Sequence, residues 1–232
     1  MEGSGGAVGS GGMTAPGSGG EAMMDAPVVD AAGSGGAMGM DGGGGGNFTC
    51  TLILGAGQTL QWYNGGGFEA AVGNAKWEIK ATDNTFTETW ANAGNAFWNL
   101  PTQSPCATSP TMPDRVLLIV YSHTLTAQAD WETQLGMVMT NIKTKYPSAQ
   151  RIELLSFARG PGNMMCGTAA ASTTSAAQDM AMQAVADRSA GMVKVGPKYF
   201  VPTCAAFATA NNTNLTTAGA MAIAQMLSAV YK

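Results

Sequence analysis

Apolar and polar positions between Asp114 and Phe157 alternate between two regimes, and the change of period defines the centre of the chain. Val116 to Val120 is an unbroken apolar run rich in β-branched residues, the pattern of a strand buried on both faces. Trp131, Leu135, Val138, Ile142 and Tyr146 then recur at helical spacing until Pro147 stops the helix. Ile152 to Phe157 is again a short apolar run. Strand, crossover helix and strand make a βαβ unit, which predicts parallel pairing. In parallel sheets ligands bind beyond the carboxyl ends of the strands, so Tyr121-Ser122-His123 is the first place to look for chemistry.

The same reading extends to both sides. Thr51 to Leu54 predicts a first buried strand, followed by Gly55-Ala56-Gly57-Gln58-Thr59 and a helix start at Leu60-Gln61-Trp62-Tyr63. Trp77 to Lys80 is expected as a strand or edge segment, and Thr85 to Trp90 as another short strand. Trp90 to Trp98 opens a loop rich in amide and aromatic groups, and Pro101 to Pro113 is a surface excursion. Beyond the centre, Ser175 caps an expected helix whose apolar face is Met180, Met182, Val185 and Ala186, ending at Gly191. Met192 to Val195 is the next strand. Thr216 or Thr217 caps a last helix that buries Ala220, Ile223, Ala224, Leu227 and Tyr231. Strands alternating with helices predict an α/β domain, three layers α/β/α around a parallel sheet of flavodoxin-like topology.

Composition separates a tail from this domain. Residues 1–46 hold 18 of the 32 glycines, no aromatic residue, five acids and no Lys or Arg. Such a segment cannot bury enough apolar surface to offset its ordering entropy, so 1–46 is expected to be a disordered Gly/Ser-rich tether and 47–232 the folded domain. The acids of the tail account for the net charge of −4, leaving 11 bases against 15 − 5 = 10 acids in the domain. A nearly neutral surface without a basic stripe excludes nucleic acid as a partner. No stretch approaches the ~20 apolar residues of a membrane span. Four cysteines, Cys50, Cys106, Cys166 and Cys204, lack Cys-x-x-Cys spacing or a histidine cluster, so neither a metal nor another cofactor is expected. Two disulfides are expected instead, Cys50 with Cys106 and Cys166 with Cys204, although spacing alone does not choose among the three pairings that four cysteines allow. Disulfides and a tether point to an extracytoplasmic protein, even though Met1 leads into Gly-Ser repeats rather than a basic and then apolar export signal.

Several short blocks resemble the SGNH (GDSL-type) hydrolases, whose esterases carry four motifs on the carboxyl side of a parallel sheet. Gly55-Ala56-Gly57-Gln58-Thr59 stands where the family has Gly-Asp-Ser with a later Thr, so Gly57 takes the place of the nucleophile. Asn92-Ala93-Gly94 resembles the block whose glycine N–H serves the oxyanion hole. Tyr121-Ser122-His123-Thr124 falls on Gly-x-Asn-Asp, with His123 at the oxyanion asparagine. Asn211 to Gly219 resembles Asp-x-x-His-Leu-Thr-x-x-Gly, with Asn211 and Asn214 at the Asp and His positions. The resemblance implies the family's fold over nearly all of residues 47–232 with the reactive groups replaced. Glycine offers no oxygen for an acyl intermediate, and asparagine cannot carry a proton near neutrality.

A pseudoenzyme that keeps a cleft for a carbohydrate or acylated ligand is therefore expected, as a monomer. Gln58, Thr59, Trp62, Asn92, Asn95, His123 and Asn214 are the ligand-binding candidates. Trp62, Tyr63, Trp90 and Trp98 are expected to flank the cleft or fill the core. Arg159, just past a strand, is placed to pair with a carboxylate or acetyl group, although a solvated surface residue is the expectation. Two alternatives stay open: an active esterase using His123 with Ser122 or Thr59 as nucleophile, and a purely structural surface module.

Overall fold

Five parallel strands lie side by side in the order β2-β1-β3-β4-β5 in the computed structural model, which describes residues 47–107, 112–160, 166, 174–201, 203–208 and 214–232. They are β1 (Thr51–Ala56), β2 (Trp77–Thr82), β3 (Arg115–Val120), β4 (Arg151–Ser156) and β5 (Val193–Val195). Pairing is in parallel register, with Ile53 opposite both Ile79 and Leu117, and Leu118 opposite Leu154. The expected tether, 1–46, lies outside the described residues.

The apolar runs are continuous because successive side chains enter two different cores. Ile53, Leu117, Ile119 and Leu155 face one side, with the short helices α1 (Gly57–Leu60) and α2 (Phe68–Val72) and the C-terminal α6 (Thr217–Tyr231). Leu52, Leu54, Val116, Leu118 and Leu154 face the other, with α4 (Gln128–Lys145) and α5 (Thr174–Asp187). Burying a side chain of this size contributes about 1.5–3 kcal/mol, so neither face can be left in water. Between α1 and α2 the helix widens to a π-turn over Gln61–Gly65, from which Trp62 and Tyr63 enter the first core. Trp131, Leu135, Val138, Ile142 and Tyr146 are buried as their spacing predicts, and Thr216 Oγ1 caps α6 by accepting from Gly219 N at 3.1 Å. Both expected disulfides are present, with Cα separations of 5.6 Å for Cys50–Cys106 and 5.4 Å for Cys166–Cys204.

Three expectations are corrected. Thr85 to Trp90 is not a strand: Thr87–Ala91 is a helical turn, α3, on the α4 side of the sheet. Its threonines bond to the ends of neighbouring strands instead of to a strand partner. Thr85 Oγ1 donates to Gly55 O at 2.5 Å, and Thr87 N and Oγ1 both donate to Tyr121 O, at 2.8 and 3.0 Å. Met180 is 52% exposed, and Ala181 takes its place in the core beside Met182 and Val185. Arg159 is 1% exposed rather than solvated, because α5 brings Asp179 within 3.2 Å and Gln178 within 2.6 Å of its guanidinium. A buried guanidinium is tolerable only when paired in this way.

Candidate functional site

The strand order reverses between β1 and β3, and in an open α/β sheet that reversal splays the loops and leaves a crevice outside the carboxyl ends. A hollow of about 280 Å³ opens there. From β1 it takes Ala56 and, beyond the strand, Gly57 and Gln58. Asp83, Asn84 and Phe86 follow β2; Tyr121 and His123 follow β3; Phe157 follows β4. Asn214, before α6, completes the lining.

Local hydrogen bonds fix this geometry. A Cβ on Gly55 would stand 2.2 Å from Thr59 Oγ1, so Thr59 can fold back over β1 only because residue 55 is glycine. Thr85 ties the β2 loop to Gly55, which leaves Asp83 and Asn84 on a tight bend, Asn84 at a left-handed φ of 63°. Gln61 fastens the terminal block to the first helical segment: its Nε2 donates to Asn214 Oδ1 at 3.0 Å and its Oε1 accepts from Leu215 N at 2.6 Å. Tyr121 and Phe157 stack with ring centroids 4.1 Å apart, and the His123 ring meets Phe86 and Tyr121 edge-on at 4.8 and 4.9 Å. Tyr121 and Phe157 are buried, whereas Asp83 and His123 are exposed at the rim.

Of the residues singled out from sequence, Gly57, Gln58, Tyr121, His123 and Asn214 line this hollow, and Thr59, Trp62, Asn92, Gly94 and Asn95 do not. Gly94 is exposed in a local turn, its N–H donating to Asn92 Oδ1 at 3.0 Å. Asn95 Oδ1 accepts from Phe97 N at 3.0 Å. Asn92 and Asn95 thus satisfy their own loop, which Trp98 anchors in the core on the α4 side. Trp62, Tyr63, Trp90 and Trp98 are core residues, not cleft walls. Thr59 is fully buried and does not line the hollow. Asn211 lies outside the described residues.

Neither nucleophile considered for His123 lines the hollow beside it. Ser122 Oγ donates to the Glu88 carboxylate and accepts from Thr124 N and Leu125 N at 3.0 and 3.1 Å. Neither Ser122 nor Thr59 reaches the space that His123 borders. Among the described residues, one grouping has the composition of a metal site, Cys50, Glu78 and Cys106, but its two sulfurs are bonded to each other.

Sequence reasoning missed Asp83, the one carboxylate among the described residues that line the hollow. An ideal Cβ built on Gly57 would lie 1.8 Å from Asp83 Oδ1 and 3.0 Å from Asp83 Cγ. The volume in which a side chain at position 57 would project is thus filled by an acid arriving from β2. The signal was present, since the carboxyl-end rule applies to β2 as it does to β3, but Asp83-Asn84 reads in sequence as an ordinary turn.

No family model and no curated protein matches the chain. Among solved structures it is similar to a Streptococcus pneumoniae protein described as a platelet activating factor, at 16% identity and TM-score 0.48, over 78% of this chain and 83% of that one. It is also similar to the C-terminal catalytic domain of peptidoglycan O-acetyltransferase A from Streptococcus pneumoniae, at 12% identity and TM-score 0.45, over 78% and 91% of the two chains. An extracellular lipase from Streptomyces rimosus is similar at 14% identity and TM-score 0.39, over 78% and 99%.

Proposed function

We propose that residues 47–232 are an SGNH-hydrolase-like domain that binds a small polar ligand, a carbohydrate or an acylated compound, without hydrolysing it. The observation that carries this reading is the filling of the nucleophile's position by Asp83 Oδ1, 1.8 Å from where a residue-57 Cβ would be. A carboxylate there competes with any acyl group for the same space. The would-be base, Asn214, is an amide held by Gln61 and has no proton to cycle at neutral pH. What remains is a hollow lined by polar and aromatic groups, and that lining supports the binding reading. Residues 1–46 serve as a tether, and the two disulfides support an extracytoplasmic location. No helix among the described residues is long and apolar enough to cross a membrane.

The test has two arms. A chromogenic short-chain ester is expected to show no turnover above buffer, and turnover abolished by His123→Ala would establish the esterase reading instead. Titration with neutral sugars and polyols, followed by backbone amide NMR shifts, is expected to move resonances around Gly57, Asp83 and His123. Silence at those positions would leave the domain a structural module.

A further inference from the structure

The electrical character of the hollow narrows its ligand. Among the described residues that line it, Asp83 is the only acid, no Lys or Arg is present, and the remaining polar side chains are amides, a phenol and an imidazole. Asp83 has no hydrogen-bond or ion-pair partner among the described residues, although carboxylates elsewhere in the domain are bound, as Asp114 is by Thr49 and Cys50 and Glu88 by Ser122 and Thr124. Two of the three lining amide oxygens already accept a hydrogen bond, Gln58 Oε1 from Ala158 N at 3.2 Å and Asn214 Oδ1 from Gln61 Nε2 at 3.0 Å, which leaves the neutral Asn84 amide and the Asp83 carboxylate. The strongest acceptor left facing the space is therefore the Asp83 carboxylate. The rings of Phe86 and Tyr121 line the same opening, and the face of such a ring attracts a cation, not an anion.

We propose that the part of the ligand seated against Asp83 is a protonated amine, so that the natural ligand is an amino-substituted polar compound such as an amino sugar or amino polyol. This rests on the binding reading above and goes further by assigning the charge. An ammonium donates three hydrogen bonds and forms a charge-assisted pair with a carboxylate, which a neutral hydroxyl cannot match. A ligand carboxylate or phosphate at the same place would meet Asp83 as a like charge.

The experiment uses the full chain, with 1-amino-1-deoxysorbitol and sorbitol as probes; they differ by one ammonium in place of one hydroxyl. Both are titrated by amide NMR at neutral pH and at matched ionic strength. The amino polyol is expected to bind about tenfold more tightly. Asp83→Asn, which keeps the shape, is expected to bring the two within about twofold while leaving Tm unchanged, and Asp83→Ala is expected to do the same. Equal binding of the two probes to the wild type would overturn the charge assignment and leave the binding reading intact. A preference that survives both substitutions would overturn the role of Asp83. Absence of shifts with either probe would remove the assignment together with the binding reading.

Discussion

Replacing Gly57 by serine puts back the side chain that the hydrolase pattern calls for, and the outcome follows from what now occupies its place. The new Cβ would start 1.8 Å from Asp83 Oδ1 and 3.0 Å from Cγ, whereas the nearest backbone atom, Asp83 Cα, is 3.5 Å away. The obstruction is thus the tip of a side chain, and because Asp83 is exposed its carboxylate can turn into solvent. The cost should sit in the lower part of the overpacking range, about 1–2 kcal/mol. For a domain of this size that lowers Tm by roughly 2–8 °C. In an Asp83→Ala background only ordinary contacts remain, so Gly57→Ser should then cost close to nothing. The coupling between the two positions, read by denaturant unfolding of all four proteins, should be about 1–2 kcal/mol. Hydrolysis of a short-chain ester should stay at the buffer rate in both, because Asn214 cannot accept the serine proton. An equal cost of Gly57→Ser with and without Asp83 would refute the account of the filled nucleophile position. Ester turnover in the double variant would refute the inertness assigned to Asn214.

Two further predictions concern the frame around the site. Gly219→Ala places a Cβ 2.3 Å from the backbone oxygen of Ala206, an atom that cannot swing aside, so a loss of about 2–3 kcal/mol is expected with no single substitution that rescues it; thermal unfolding within 1 kcal/mol of wild type would contradict this. At the opposite end of the sheet, burial tends to raise the Asp114 pKa, but hydrogen bonds from Thr49 N, Thr49 Oγ1 and Cys50 N outweigh it and hold the group below its ordinary value. A carboxyl depressed in the folded state contributes stability above the unfolded carboxyl value of about 3.9, and that contribution is lost as pH falls through the lower folded value. Asp114→Asn should therefore cost about 1 kcal/mol at pH 7, after discounting for partial exposure, and progressively less below pH about 4; a pH-independent difference would show that the charge is not involved.

The sheet was legible in the sequence because its strands are buried on both faces: Val116–Val120 and Thr51–Leu54 have no polar alternation to disguise them. Helix α4 was legible for the opposite reason, one apolar face repeated over five turns. The segment after β2 was not, because Thr85 and Thr87 look like strand residues and act as hydrogen-bonding pegs into β1 and β3, contacts that local propensity does not contain. The hollow was half legible. Gly57, His123 and Asn214 follow strand ends or precede the last helix in an order that family resemblance can read. Gly94 matched a motif by letter, but the tryptophans flanking its loop pack on the α4 side and carry it away from the hollow. Asp83 carries no motif at all, and its meaning depends on how near β2 brings it to Gly57.

The clamp by which Gln61 grips Asn214 and Leu215 joins the first helical segment of the domain to the residues that lead into α6. Helix α6 covers the face on which Trp62, Phe68 and Trp77 lie, so a nascent chain lacking residues 214–231 holds that aromatic surface open to water. Closure of that half of the core therefore waits on residues 153 positions further along the chain than Gln61.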